Sequence, residues 1–263
     1  MEVADHRDRG PGLRWDGDVS AGTPAVVAER DAREPRILTL TLNRPQVLNA
    51  YDRAMRDGLF EGLTLAARDD SICVVVLRGA GRAFSSGGDL REFGTAPSPL
   101  RARETRQVLD VWSRLSTVPA VTVASVQGLA AGGGLEMALL CDLVICASDA
   151  RLGLPETGLG AIPGVGGSQT LPRVIGEGRA AAMLLAGRWI DGREAARIGL
   201  ASTVVAPGRL RPTTRRWARR IAALDPRLVR TALDALRRGR DLRLAEGLSL
   251  EKRLARRLPE PTT

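Results

Sequence analysis

Two kinds of apolar run alternate along the chain. AVVAE and RILTLTLN are short, β-rich and separated by charged residues and Pro35, which predicts a hairpin of two strands; Pro45 blocks continuation of the second. From Asp52 to Ala67 the spacing changes, with Met55, Leu59 and Leu63 recurring every fourth residue on one helical face. SICVVVLRG is continuous rather than alternating, the mark of a strand covered on both faces. TVPAVTVASVQG and LVICAS repeat that pattern, with GGGLEMALLCD between them as a short helix behind a glycine run and ARLGLPE following as an extended segment. Helical spacing returns after Gly167 and runs through Val174. WIDGREAARIGL carries a further helix signature, with Asp191 as N-cap, Glu194 three residues on in a capping-box-like arrangement, and Gly199 as C-cap. From Arg211 onward the chain reads as mostly helical, with Pro226 well placed at a helix start.

This order predicts an α/β architecture in three parts. Residues 1–24, rich in Asp, Arg, Gly and Pro without periodicity, read as a flexible arm. Residues 25–205 form a layered core of strands and helices, and residues 206–263 a helical C-terminal region. The length, 263 residues, is ample for a sizeable core, and the 3% aromatic content means that core is built from Ala, Val, Leu and Ile. No apolar run approaches a membrane span, and the first ten residues carry mixed charge where a secretory leader needs an apolar stretch. The expectation is a soluble, cytoplasmic protein with no membrane partner.

Candidate chemistry narrows quickly. His6 is the single histidine and lies in the polar arm, so histidine-based catalysis and histidine metal cages are disfavoured. Cys73, Cys141 and Cys146 lie in apolar runs without a C-x-x-C pair, which points to buried reduced thiols rather than zinc or disulfides. No metal site is expected. The net charge of +9 is concentrated near the end: between Arg209 and Arg257 stand 15 arginines and one lysine against five acids, an excess of +11. High arginine with high alanine also arises from genomic composition bias.

Three glycine-bearing segments stand out: Ser85 to Asp89, Gly132-Gly133-Gly134, and Gly158 to Gly167. None has the spacing of a nucleotide phosphate loop. The triplet follows a buried strand and opens a helix, so it is either an anion-stabilising set of backbone N–H groups or a tight strand–helix junction. Glu136 lies on the first turn after the triplet and Glu156 directly follows Pro155. Singly, neither carboxylate merits a catalytic role.

Taken in order, these segments resemble the enoyl-CoA hydratase/isomerase (crotonase) superfamily from about Val26 to Leu258. LTLNRPQVLNA is similar to its N-terminal strand-turn, AFSSGGDLREF to its first oxyanion segment, and SVQGLAAGGGLEMALLCDLVICASDARLGLPETGLGAIPGVGGSQTLPRVIG to its long central signature. The resemblance implies a crotonase-like spiral of repeated ββα units with a C-terminal helical oligomerisation region, giving a homotrimer or a hexamer built as a dimer of trimers. It implies an acyl-CoA substrate whose thioester carbonyl sits between the backbone N–H groups of Gly88 and Gly133. Glu136 and Glu156 match the positions that hold the reacting water. Coenzyme A would be met by Gln46, Val47, Leu48 and Ala50, and by Ser86, Asp89, Leu90 and Arg91, with Arg91 near the nucleotide phosphate. It enters as part of the substrate, and no metal or redox cofactor is implied.

The function expected is therefore enoyl-CoA hydration, with enolate stabilisation by the two N–H groups. Another acyl-CoA transformation on the same scaffold, such as double-bond isomerisation, C–C cleavage or hydrolysis, stays open, as does the acyl chain. Val108, Trp112 and Leu115 share a helical face that is either acyl-pocket wall or ordinary core. A nucleic-acid role for the Arg-rich segment is disfavoured: Trp217 is its single aromatic, and binding alone would not require both glutamates.

Overall fold

A computed structural model describes residues 23–92 and 109–258. The arm predicted for 1–24 lies almost wholly outside them, as do His6 and Val108. Nine strands and nine helices are present among the described residues. β1 (Val26–Asp31) and β2 (Glu34–Leu42) form the predicted hairpin, and a six-stranded sheet runs in the order β1-β2-β3-β4-β6-β9 through β3 (Val74–Gly79), β4 (Val121–Val126), β6 (Leu143–Ala147) and β9 (Thr203–Val205). Beyond the antiparallel β1–β2 pair every pairing in this sheet is parallel, which needs crossovers and buries both faces. That accounts for the continuous apolar runs: all six residues of β4 are buried. β5 (Leu129–Ala131), β7 (Arg151–Gly153) and β8 (Ile190–Asp191) make a second, three-stranded sheet.

Helix α1 (Arg53–Arg68) is capped by Asp52, whose carboxylate accepts the Met55 N–H at 2.9 Å, and its predicted stripe Met55, Leu59 and Leu63 is fully buried. α2 (Val111–Thr117) packs on α1, and α3 (Gly133–Leu139) is the short helix behind the glycine run. α4 (Gly167–Ile175), α5 (Glu177–Leu184) and α6 (Gly192–Arg197) follow. Asp191 caps α6 as expected through the Glu194 N–H, but the Glu194 carboxylate turns to Arg188 and Arg197, so the capping box is left half made. Gly199 has φ of +84°, which suits a glycine just past a helix end.

The C-terminal helices are α7 (Leu210–Ala222), α8 (Pro226–Gly239) and α9 (Leu244–Ala255). α1 and α2 cover the sheet face that carries Leu40, Val75 and Leu77, while α7 lies across the opposite face beside Thr39, Val76 and Ser125. No helix among the described residues is long and apolar enough to cross a membrane.

Candidate active site

The glycine triplet is where the two sheets meet. β4 leaves the large sheet, β5 joins the small one, and Gly132 turns the chain into α3 with φ of +50°. That turn is crowded: a Cβ added at Gly132 would come within 2.8 Å of Glu156 Oε1. Opposite it, Gly87 has φ of +88° and approaches so closely that a Cβ there would lie 2.7 Å from the Ala131 carbonyl and 3.1 Å from Gly133 N. Glycine at Gly87 lets two backbone segments touch, and at Gly132 it leaves room for the Glu156 carboxyl.

The Gly87 segment is held from its other side by the turn after β2. Tyr51 N–H donates to Gly87 O at 2.7 Å, Asp89 N–H to Tyr51 O at 2.9 Å, and Ser86 N–H to Leu48 O at 2.9 Å. These bonds use the N–H groups of Ser86 and Asp89, and Gly87 N–H donates to Ser85 Oγ at 3.2 Å, so the neighbours of Gly88 are spent. Among the described residues neither Gly88 N–H nor Gly133 N–H has an acceptor. A Cβ added at Gly133 would stand 3.8 Å from Gly88 N and 3.9 Å from Glu136 Oε2, in ordinary contact with both. Two unspent donors and a carboxylate oxygen therefore border one small space.

Glu136 is 2% exposed on α3, where the sequence placed it, and Val165 N–H and Gly167 N–H both donate to its Oε1, at 3.0 and 2.7 Å. These donors come from the loop that enters α4, so the Gly158–Gly167 segment positions one carboxylate. Fixed N–H donors of this kind suit the ionised form. Glu156 opens a 3-10 turn, Glu156–Leu159, directly after Pro155. Among the described residues its buried Oε2 has no hydrogen-bond partner. Burial pushes its carboxyl above the usual range, and the nearby Glu136 charge pushes the same way. The arrangement joins a hydrogen-bonded carboxylate to a carboxyl that resists ionisation.

Both coenzyme A segments expected from the sequence come together here. Gln46 and Val47 lie in the 3-10 turn Pro45–Val47, Leu48 follows with φ of +54°, Ala50 is buried, and Ser86 packs alongside. Leu90 is exposed. Asp89 is occupied within the fold, accepting from Arg91 at 3.0 and 2.8 Å and from Arg44 at 3.1 Å, and these guanidinium groups hold its carboxyl far below the usual range. Arg91 is thus paired, although its side chain remains mostly exposed. Sequence reasoning missed Asn49: fully buried, it accepts Arg44 N–H and donates to the carbonyls of Ala80, Ala83 and Phe84, tying the strand-turn to the oxyanion segment. The N-R-P-x-x-x-N stretch was in view, but no local pattern reveals acceptors more than thirty residues away. The Tyr51 and Trp112 rings meet at 5.1 Å between centres, tilted by 40°, beside the same segment.

Two buried carboxyls beside unspent backbone donors make a small polar space whose N–H groups suit an anionic oxygen. Residues 32–262 match the enoyl-CoA hydratase/isomerase family, and the chain belongs to it. It is 37% identical over 229 residues to a probable enoyl-CoA hydratase of Mycobacterium bovis, covering 87% of each chain. It is 38% identical over 223 residues to the 2,3-dehydroadipyl-CoA hydratase of Escherichia coli, covering 85% of this chain and 87% of that one. A crystal structure of an enoyl-CoA hydratase subunit from Geobacillus kaustophilus superposes with a TM-score of 0.82 at 36% identity, over 88% of both chains. The fold is accordingly the α/β crotonase fold with C-terminal helices.

Proposed function

We propose that the chain is an enoyl-CoA hydratase, adding water reversibly and syn across the 2,3-double bond of a trans-enoyl-CoA thioester. The observation that carries this reading is the pair of carboxyls in unlike surroundings beside the Gly132–Gly133 turn, close to the unspent N–H groups of Gly88 and Gly133. The thioester oxygen would accept from Gly88 N–H and Gly133 N–H. Glu136, ionised, takes a proton from the water as its oxygen bonds to the β-carbon. The π electrons move through the α-carbon to the thioester oxygen, where the two donors stabilise the enolate. Glu156, protonated, then delivers its proton to the α-carbon. Environments that push two carboxyls apart in this way separate base from acid. Both border the Gly132–Gly133 turn, Glu156 Oε1 next to the Cβ position of Gly132 and Glu136 Oε2 next to that of Gly133. Coenzyme A arrives with the substrate, and the reaction needs no other cofactor.

Gln46, Val47, Leu48, Ala50, Ser86 and Leu90 would contact the thioester tail, with Arg91 able to leave Asp89 for a phosphate. Asp89 serves by holding Arg44 and Arg91 rather than by touching substrate. The assembly we infer is a trimer or a dimer of trimers. Glu136→Gln and Glu156→Gln should each lower turnover by about 10²–10⁴-fold with little change in acyl-CoA affinity, read as loss of the conjugated thioester absorbance. Near-wild-type hydration in either variant would remove that glutamate from the mechanism. Exchange of the α-hydrogen with solvent, without hydrated product, would replace hydration by isomerisation.

A further inference from the structure

On the sheet face opposite α1 and α2, a cavity of about 590 Å³ opens between α7 and strands β2, β3 and β4. No residue of the glutamate site lines it, and its volume falls within the few hundred to about 1,000 Å³ typical of small-molecule sites. Six arginines and two carboxylates border it. Arg211, Arg215 and Arg219 recur every fourth residue along α7, an unfavourable stacking of like charge unless something neutralises it. Asp31 answers Arg215 at 3.5 Å and Arg219 at 2.9 Å. Among the described residues Arg211 has no ion pair, and the buried Nε of Arg219 has no acceptor.

The sheet side adds a lateral polar row. Thr41, Arg78 and Ser125 are register partners across β2, β3 and β4, on a face otherwise rich in β-branched residues. Arg78 donates through Nε to Thr41 Oγ1 at 2.9 Å, while Ser125 bonds Thr214 of α7. Arg78 Nη2 makes a loose ion pair with Glu29 Oε2 at 3.6 Å, beyond hydrogen-bond distance. Burial, and then the charge of Arg211, push Arg78 below its usual value, while Glu29 acts the other way.

We propose that this cavity is a second binding site, separate from the glutamate pair, for a phosphate-bearing small molecule. Arg78, Arg211 and Arg219 approach from a strand and from two turns of a helix, so their donors converge from several directions. The three acceptor oxygens of a phosphate meet such a set better than the two of a carboxylate. Ile37, Val76 and Ala218 supply an apolar wall for the organic part of the ligand.

Calorimetric titration of the full chain with inorganic phosphate, ADP and citrate, at about 0.15 M salt where surface charge is screened, tests the site. Phosphate and ADP should bind saturably, one per chain, and more tightly than citrate. Arg211→Glu should weaken them by about tenfold or more, as for loss of a charge-assisted bond, and leave enoyl-thioester turnover unchanged. Arg193→Glu, the same charge change at an exposed position on α6, should leave binding intact. The proposal is overturned by non-saturable binding, by tighter binding of citrate, or by equal weakening in the Arg193 variant, which would indicate general attraction to a basic protein. ADP binding that acyl-CoA displaces and Arg211→Glu does not affect would assign the signal to the substrate site and also overturn it. Because turnover is read separately, failure here would leave the hydratase reading untouched.

Discussion

Glu136 and Glu156 carry the same carboxyl group in two surroundings, and the difference is measurable. Burial raises the native Glu156 carboxyl above its value in the unfolded chain, about 4.3. Below that value the group is protonated in both states and costs nothing; as pH rises through the raised native value, holding it in the fold becomes progressively unfavourable. Glu156→Gln removes the charge at every pH. Its melting temperature should therefore exceed that of the wild-type protein at pH 8, with the gain shrinking towards pH 4, while turnover is lost. A difference independent of pH would show that Glu156 titrates normally in the native state. Gly133 offers a sharper test of the oxyanion space, since an added Cβ meets only ordinary 3.8–3.9 Å contacts. Gly133→Ala should fold with near-native stability yet lose about 10²-fold or more in turnover, because the methyl occupies the space where the carbonyl oxygen would sit. Full activity would mean that the thioester lies elsewhere. Both glutamates were legible in the sequence through their places in a long ordered motif. The Asn49 clamp and the Arg44–Asp89–Arg91 network were not, because their meaning lies in contacts across the fold.

Among the elements, the strands of the large sheet were the easiest to read, since parallel strands buried on both faces leave unbroken apolar runs. β5 and β8, three and two residues long, are too short for any periodicity to register, so the second sheet escaped notice. The helical face expected for Val108, Trp112 and Leu115 divides: Val108 falls outside the described residues, Leu115 is core at 2% exposure, and Trp112 is half-buried against Tyr51. Trp112→Ala should shift preference towards bulkier enoyl thioesters; equal loss across all chain lengths, with a lower melting temperature, would make it packing alone. Of the two ion pairs that attach α8, Arg230–Asp70 and Arg237–Asp142, the second is the more buried. Arg237 donates to both oxygens of Asp142, at 2.9 and 2.7 Å, and to the Val118 carbonyl at 2.7 Å. Asp142 also accepts the N–H and hydroxyl of Thr122. Removing one member of a largely buried pair leaves the other charge uncompensated, so Arg237→Ala should cost about 3–5 kcal/mol in denaturant unfolding. A loss below about 1 kcal/mol would place this pair with ordinary surface salt bridges.

For the molecule as a whole, the concentrated positive charge near the C-terminus has to be reconciled with its exposed leucines. Several of the arginines dock the helices onto the core: Arg219 and Arg215 on Asp31, Arg230 on Asp70, and Arg237 on Asp142. Part of the +11 excess is therefore structural cement rather than a free basic face. The leucines divide differently. Leu233, Leu250 and Leu254 are buried within the chain, whereas Leu224, Leu228, Leu236, Leu242, Leu244 and Leu248 are 41–79% exposed. Complete burial of a leucine contributes roughly 1.5–3 kcal/mol, so six held out of the core, four on α8 and α9 and two in the turns before them, are apolar area that association would bury favourably. Charge attraction to nucleic acid, by contrast, is screened by salt and has little aromatic stacking to sustain it here. Sedimentation should accordingly give a trimer or hexamer at 0.15 M salt, and Leu244→Glu together with Leu236→Glu should shift it to smaller species with helix content retained. RNA or DNA binding, where detectable at low salt, should fade as salt rises. A stable monomer that binds nucleic acid tightly and selectively at physiological salt would overturn both the assembly and the reading of the basic segment.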